Sequence, residues 1–291
     1  MKTISLLGLG AKALTALRGV PVHLRGMIVE VILARDGNVL DDYADEIRTF
    51  CTESGIPCVE RTDRKPQGDI IVAIGWRWMV SPLPGQQLVV FHDSLLPMYR
   101  GFNPLVTALI NGDKSVGVTA LFGAAEFDEG SIIAQRSAAI VYPMKVGRAI
   151  SIVSALYSEL LVWVVEECAA GRALVGRPQN DAEATYSLWR DHEDYSIDWN
   201  QPASRIKRMI DAVGYPYQGA RTTIQGTTVI VDEAEEIVDR EIANRTPGKV
   251  FFKREGRPVV VCNPGLLLLT SLRTEKGDVF DFGNRLRIRL K

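Results

Sequence analysis

Two polar residues that follow apolar segments have the types needed for acid–base chemistry. His92 ends the run QLVVFH, and Asp128 lies in the D-x-G turn of FDEGSIIAQ. Active sites of open parallel sheets lie at the carboxyl ends of strands, so a turn can bring this carboxylate to the histidine. A histidine that a carboxylate orients can act as a base and is stabilised once protonated. Taken alone, each residue is equally an ordinary strand-end or turn residue.

The other two histidines are weaker candidates. His23, in PVHLRG, has no acidic neighbour, which favours a structural role. His192 lies among acids in WRDHEDYSIDW, where a surface position is favoured over a contact with substrate. His92 is therefore the predicted base.

The elements that must position this pair alternate between strand and helix. Short apolar runs such as TISLLGL, MIVEVILA and DIIVAIG alternate with helical spacing in AKALTALRG and LDDYADEIRTFCTESG. This order predicts an α/β fold, a Rossmann-like parallel or mixed sheet flanked by helices. From residue 220 the pattern becomes brief β-rich stretches divided by turns, which predicts a small OB-like C-terminal domain. The predicted ranges are 1–185 for the catalytic domain, 186–219 for a helical connector and 220–291 for the β-rich domain.

The segment GLGAKA resembles the phosphate-binding turn of dinucleotide sites, but the match is weak. Such a site needs an acid at the end of the second strand, whereas Glu30 lies within that strand and Asp36 lies in the loop beyond it. A tight strand-to-helix turn is the favoured interpretation.

Composition narrows the class of protein. With 291 residues, of which 46% are hydrophobic, the chain can form one or two globular domains, and we expect a cytosolic protein without a membrane span. The four cysteines have no paired spacing, so neither a metal site nor a disulfide framework is predicted. Because the net charge is only −1, we do not expect the protein to bind nucleic acid. The sequence does not determine the oligomeric state, and a homodimer is one of the alternatives that it leaves open.

The C-terminal segment is the basic exception. Residues 239–291 contain twelve Lys and Arg against six Asp and Glu and end in NRLRIRLK. Alternation in this run predicts a strand with Leu286, Ile288 and Leu290 inward, and this is favoured over an anion-binding tail.

Four segments together resemble the folate-dependent formyltransferases, in particular the sugar N-formyltransferases and their relative methionyl-tRNA formyltransferase. VFHDSLLPMYRG, VGVTALF and FDEGSIIAQ match the family's N-x-H-x-S-L-L-P-x-[YW]-R-G, G-x-T and D-x-G elements in order. SIDWNQPASRIKRMIDAVGYPYQGA matches the segment that precedes the family's small β domain. The resemblance covers roughly residues 70–225.

The resemblance implies transfer of a formyl group from 10-formyltetrahydrofolate to the amine of an amino sugar. The sugar is expected to be nucleotide-linked and used in glycan synthesis. His92 is expected to be the general base, with Asp128 as its partner. The residues expected at the folate site are Trp76, Trp78, Ala124, Ala125, Phe127 and Asp128, with core packing as the alternative for both tryptophans. The residues expected at the acceptor site are Ser94, Tyr99, Arg100, Gly101 and Asn103.

One position departs from the family pattern. The resemblance assigns binding of the formyl oxygen to an asparagine whose position is occupied by Val90 here, and the valine side chain has no hydrogen-bond donor. We expect Asn103, or a water that it holds, to take part of this catalytic role, with a backbone amide as the alternative. Two other functions stay open: methionyl-tRNA formyltransferase, and a catalytically silent binding homologue. Retention of His92 and Asp128 argues against the silent homologue.

Overall fold

The computed structural model describes residues 2–37, 39–61, 65–283, 285 and 287–291. The chain divides into two compact units. The first consists of Met1–Leu105, Lys114–Ile140 and Arg148–Trp189. The second consists of Val106–Asp113, Val141–Gly147 and Arg190–Lys291.

The first unit is built on a seven-stranded mixed sheet in the order β3-β2-β1-β4-β5-β7-β8. The strands are β1 (Ile4–Gly8), β2 (Ile28–Leu33), β3 (Cys58–Glu60), β4 (Ile70–Ile74), β5 (Gln87–His92), β7 (Ser115–Phe122) and β8 (Ile132–Ala139). Strands β1 to β5 are parallel, whereas β7 is antiparallel to both of its neighbours. The predicted α/β fold with a mixed sheet is therefore confirmed.

The two central strands are buried on both faces because helices cover the sheet. Every residue of β1 and of β4 is buried, and Ile4, Leu6 and Ile71 have no exposed surface. Neighbouring strands lie on both sides of β1, so the strand order reverses beside it. Crevices of this kind form ligand sites at the carboxyl ends of parallel strands.

Within the described part of the chain, five α-helices connect these strands and those of the second unit. They are α1 (Gly10–Gly19), α2 (Ala44–Ser54), α3 (Pro104–Asn111), α4 (Val146–Ala169) and α5 (Ala203–Ala212). By length and composition α4 passes the test for a membrane-spanning helix, a test that the core helices of globular proteins also pass. Its Val153, Leu160, Leu161 and Val164 have no exposed surface, as in the core helix of a globular unit.

A pair of two-residue strands holds the segment that follows His92. The strands β6 (Arg100–Gly101) and β9 (Tyr186–Ser187) pair in parallel. Gly101 has φ 99°, and a Cβ at this position would lie 2.6 Å from the carbonyl oxygen of Ser187. Only glycine allows the two backbones to approach so closely.

The second unit contains an antiparallel sheet in the order β10-β11-β14-β13-β12. Its strands are β10 (Ala220–Ile224), β11 (Thr227–Ile237), β12 (Val250–Arg254), β13 (Arg257–Val261) and β14 (Leu266–Thr274). The predicted small β-rich domain is therefore confirmed.

The C-terminal residues join the two edges of this sheet. Lys291 exchanges backbone hydrogen bonds with Thr223 of β10, and Leu290 donates to Gly248, just before β12. Ile288 and Leu290 are 6% and 2% exposed, so they point inward as predicted, and Leu286 lies outside the described residues. The basic C-terminal run thus forms backbone hydrogen bonds at both edges of the sheet, in agreement with the predicted strand.

Candidate functional site

A cavity opens in the first unit at the carboxyl ends of β4 and β5. Its wall includes Trp76, Trp78, Val90, His92, Asp93, Gly101, Phe102, Ala124, Phe127, Asp128 and Tyr157. Apolar and aromatic side chains dominate this wall, and a few titratable groups converge at one end. This composition is typical of sites for small organic ligands.

His92 lies at the end of β5 with only 7% of its surface exposed. Its Nε2 is 2.8 Å from the carbonyl oxygen of Tyr99, and its Nδ1 is 3.4 Å from Oδ1 of Asp128. The structure thus places the side chains of the predicted base and its predicted partner next to each other. The sequence did not indicate that a backbone carbonyl would form a hydrogen bond with the other ring nitrogen of His92.

The Tyr99 carbonyl decides which nitrogen can act as a base. A carbonyl only accepts hydrogen bonds, so Nε2 must carry a proton to make this contact. In neutral imidazole Nδ1 then keeps the lone pair. A proton that Nδ1 takes up lies against Oδ1 of Asp128, so the carboxylate and the base face each other directly.

Asp128 is held on the loop between β7 and β8. Its Oδ2 accepts a hydrogen bond of 2.8 Å from the backbone N–H of Gly101, which leaves Oδ1 directed at His92. Its φ of 59° is left-handed, a conformation that Asp tolerates better than most residues. A Cβ on Gly130 would lie 1.7 Å from the carbonyl oxygen of Phe122, so the glycine of the D-x-G turn is a steric requirement.

Five of the six residues predicted for the folate site line the cavity. Trp76 and Trp78 pack edge to face with ring centroids 5.1 Å apart, and both line the cavity. Trp76 also packs on the apolar cluster of Leu7, Ile32, Ile71 and Ala73, so lining and core packing are not exclusive. Ala124, Phe127 and Asp128 line the cavity, whereas Ala125 is exposed beside them.

The residues predicted for the acceptor site are divided by the structure. Gly101 lines the cavity, and Tyr99 contributes the carbonyl that binds His92. Ser94 is 4% exposed and donates to the carbonyl of Met98, so its hydroxyl is engaged within its own loop. Asn103 is the residue before α3, with φ 50°, and the cavity lining does not include it.

Arg100, also predicted for the acceptor site, is not among the residues that line the cavity. It is 2% exposed, and its guanidinium donates to Oε1 of Gln179 at 2.9 Å and to Asp181 at 2.7 Å. Gln179 in turn donates to the carbonyl of Asp128. The arginine therefore ties the loop after His92 to the segment before β9, a role that the sequence did not suggest.

Val90 lies beside His92 on the cavity wall, as alternation along the strand predicted. It packs on the cluster of Leu96, Leu121 and Ile132 as well as on the cluster beneath Trp76. Its side chain thus fills space between two parts of the core. The hydrogen bond that an asparagine would offer here must come from another group if the site is catalytic.

Sequence reasoning missed a cluster of three polar residues, of which Asp93 and Tyr157 line the cavity and Lys12 contacts Asp93. Asp93 follows His92 and pairs with Lys12 of α1, and the hydroxyl of Tyr157 of α4 donates to it. Asp93 occupies an unspecified position of the formyltransferase pattern, and Lys12 lies in the segment GLGAKA. Neither Asp93 nor Lys12 could be identified as a site residue from the sequence, because only the fold brings α1, α4 and the end of β5 together.

The remaining sequence candidates lie outside the cavity wall. His23 and His192 are exposed. Glu30 accepts hydrogen bonds of 2.7 Å from Ser5 and from the backbone of Gln67, and Arg77 holds Asp36. With Gly10 at φ 77° at the start of α1, GLGAKA forms the tight turn that the sequence favoured.

Comparison with known families gives two matches in order along the chain. Residues 60–163 match the family model described as "Formyl transferase", and residues 190–287 match "Formyl transferase, C-terminal domain". A methionyl-tRNA formyltransferase of Roseiflexus sp. (strain RS-1) is 30% identical over 93% of this chain and 87% of its own length. That of Roseiflexus castenholzii is 34% identical over 72% of this chain and 67% of its own length.

Solved structures with the same fold include two N-formyltransferases and a third protein, each crystallised with a folate. The sugar 3N-formyl transferase WlaRD, crystallised with dTDP and 5-N-formyl-THF, has a TM-score of 0.67 at 16% identity and covers 92% of this chain and 97% of its own. An N-formyltransferase of Helicobacter canadensis, in complex with folinic acid and dTDP-3-aminofucose, has a TM-score of 0.66 at 16% identity, with 93% and 99% coverage. HypX of Aquifex aeolicus bound to tetrahydrofolic acid has a TM-score of 0.62 at 20% identity over 96% of this chain, which spans only 45% of HypX.

Proposed function

Because the chain belongs to the formyl transferase family, whose co-substrate is 10-formyltetrahydrofolate, we propose that it formylates the primary amine of a nucleotide-linked amino sugar. One observation carries the catalytic part of this proposal. The side chains of His92 and Asp128 meet on the cavity wall, with the lone pair of Nδ1 facing the carboxylate.

The proposed reaction uses this pair for proton transfer. The neutral amine attacks the formyl carbon, and the electron pair of the carbonyl moves to its oxygen. His92 Nδ1 takes a proton from the attacking nitrogen, and Asp128 stabilises the imidazolium. The bond from the formyl carbon to N10 of the folate then breaks, N10 receives the proton, and the carbonyl reforms in the product formamide.

The donor is proposed to lie along Trp76, Trp78 and the 124–128 segment. The apolar face of Trp76 and Phe127 suits a flat ring, and the exposed backbone of Ala124 and Ala125 offers hydrogen bonds to its edge. The residues that line this side all precede residue 130, within the proposed catalytic domain 1–185. We place the helical connector at 186–219, the β-rich domain at 220–291, and the protein in the cytosol.

Charge supports a small acceptor. Binding of tRNA gains most of its affinity from phosphate contacts with Lys and Arg. Residues 190–291 contain 17 Lys and Arg against 15 Asp and Glu, a small excess. Arg245 pairs with Asp239 and Arg273 pairs with Asp232, which reduces the charge available to phosphates.

Methionyl-tRNA is the second candidate acceptor. The full-length similarity to methionyl-tRNA formyltransferases favours it, and the basic C-terminal residues supply some positive charge. The chemistry at the amine is the same for both acceptors. Only the group that carries the amine differs.

An acceptor comparison tests the proposal. The protein is incubated with 10-formyltetrahydrofolate and either dTDP-3-aminofucose or methionyl-tRNA, and the formamide product is measured by mass spectrometry. Faster transfer to the amino sugar is the expected result. Faster transfer to methionyl-tRNA would contradict the proposed amino sugar acceptor and support methionyl-tRNA instead. Donor binding without transfer to any amine identifies a silent homologue and overturns the catalytic assignment.

A further inference from the structure

The residue after the proposed base is a second carboxylate on the wall of the same cavity. Asp93 and His92 are consecutive at the end of β5, and both line the cavity. The side chain of Asp93 is 15% exposed, so part of the carboxylate remains accessible from the cavity. The formyltransferase pattern leaves this position unspecified, so the pattern itself does not account for the carboxylate.

Two donors from two helices hold the carboxylate in place. Lys12 of α1 pairs with Oδ2, and the hydroxyl of Tyr157 of α4 donates to Oδ1. Although burial raises it, the pKa of Asp93 is held below its ordinary value by the charge and hydrogen bond of Lys12 and by the hydrogen bond of Tyr157. Burial and the charge of Asp93 raise the pKa of Tyr157, so the phenol keeps its proton and remains a donor.

Packing alone does not explain this arrangement. A partly buried ion pair contributes little net stability, and apolar side chains would join α1, β5 and α4 as well. An ionised carboxylate has about four acceptor positions, and Lys12 and Tyr157 engage one on each oxygen. The positions that remain can accept hydrogen bonds from a cationic group in the cavity.

We propose that Asp93 binds the amine of the acceptor and holds its nitrogen beside His92. Primary amines are largely ammonium ions at neutral pH, and a fixed carboxylate recognises them. The bound ammonium releases one proton to water, and the resulting amine still donates to Asp93 while its lone pair attacks the formyl carbon. Lys12 and Tyr157 are positioning residues, because they act on the acceptor only through Asp93. This inference rests on the proposed function.

The proposal narrows the class of acceptor. A carboxylate next to the amine would be repelled by Asp93 and Asp128. Amino sugars and aminoacyl esters lack that carboxylate, whereas free amino acids carry it. The site is therefore expected to reject free methionine as an acceptor.

Two variants that break the same ion pair separate amine binding from a structural role. Asp93→Asn removes the anion, and Lys12→Met removes its partner but keeps the carboxylate. With the acceptor that the wild type formylates, Asp93→Asn is expected to raise the acceptor KM at least ~10-fold and the donor KM less than ~2-fold. Lys12→Met is expected to raise the acceptor KM at most ~3-fold. Asp45→Asn on the exposed face of α2 is the matched control.

A binding measurement on the wild type keeps the test independent of variant folding. Calorimetry with 5-formyltetrahydrofolate present compares dTDP-3-aminofucose with dTDP-fucose, whose hydroxyl replaces the amine. The amine is expected to bind at least ~10-fold more tightly at neutral pH, and the preference is expected to shrink above the pKa of the amine. Equal affinities, or equal rises in acceptor KM for Asp93→Asn and Lys12→Met, would overturn the inference. Failure of the wild type to formylate any amine refutes the proposed function instead.

Discussion

At the scale of the residue, Asp128 serves two groups with two oxygens. Oδ1 faces His92, and Oδ2 accepts from the backbone of Gly101. In Asp128→Asn, the amide oxygen can keep the Gly101 contact while the NH₂ group donates to His92 Nδ1. That contact occupies the lone pair on which the proposed base depends.

We therefore expect Asp128→Asn to fold normally and to lose at least ~100-fold in kcat, the scale of general-base catalysis. Initial rates at saturating substrates, together with thermal unfolding, measure both effects. Transfer within ~3-fold of the wild-type rate would show that the carboxylate is not needed.

The missing asparagine gives a second prediction at this scale. If Asn103 supplies a donor to the developing oxyanion, Asn103→Ala should lower kcat by ~100-fold and leave KM nearly unchanged, because such a contact strengthens only in the transition state. Val90→Asn should then restore part of the loss in the double mutant, which Val90→Thr should not. An Asn103→Ala enzyme with unchanged kcat points to backbone donors, in line with the absence of Asn103 from the cavity lining.

At the scale of the element, β6 and β9 act as a clamp on the loop that fixes the His92 tautomer. Arg100 and Phe102 donate backbone hydrogen bonds to Thr185 and Ser187, and the backbone of Tyr99 donates to the hydroxyl of Thr185. The carbonyl that binds His92 Nε2 thus belongs to a loop that residues 185–187 hold. The side chain of Arg100 reinforces the same connection.

We expect Arg100→Met to lower kcat by ~10-fold and the free energy of unfolding by about 1–3 kcal/mol, because Gln179 loses its charged donor. The acceptor KM should change little. Kinetics and urea unfolding test this, with Arg136→Met on the exposed edge of β8 as the control. A large rise in acceptor KM with unchanged kcat would instead support the predicted role of Arg100 in binding the acceptor.

The β7–β8 loop shows what could be predicted from the sequence at this scale. The His92–Asp128 pair was expected because turn residues follow apolar strands. The sequence did not indicate that β7 runs antiparallel to β5, since single apolar strands have no readable direction. The contact therefore arises from a loop that returns to the end of β5 rather than from two parallel strand ends.

At the scale of the whole molecule, local sequence patterns predicted both the helix-flanked sheet and the β-rich domain. Runs without alternation predicted buried strands, and the shift to short β stretches predicted the second sheet. Apart from the His92–Asp128 pair, contacts between distant segments could not be predicted. The Lys12–Asp93–Tyr157 cluster joins residues separated by more than sixty positions. Likewise, residues 106–113 and 141–147 belong to the second compact unit although they precede residue 190.

Thiol reactivity reports on burial across the molecule. Burial raises the pKa of Cys262 to about 12 and also raises that of Cys168. A hydrogen bond with Cys58 raises the pKa of Cys51, and the same bond lowers that of the half-buried Cys58. Because the thiolate is the reactive form, we expect iodoacetamide at about pH 8 to modify Cys58 first in the native protein.

Mass spectrometry of tryptic peptides locates the modified cysteine. Cys58→Ser should abolish the fast phase, and all four thiols should react after unfolding. Fast labelling of Cys262 in the native protein would contradict its burial within the second sheet.

The central claim is that this protein transfers a formyl group to an amine with His92 as the base. A single-turnover experiment with ¹³C-formyl-labelled 10-formyltetrahydrofolate and dTDP-3-aminofucose tests it most directly, with the labelled formamide followed by mass spectrometry in the wild type and in His92→Gln. We predict complete transfer by the wild type and a rate at least ~100-fold lower in the folded variant. Equal rates in the two proteins would contradict the account.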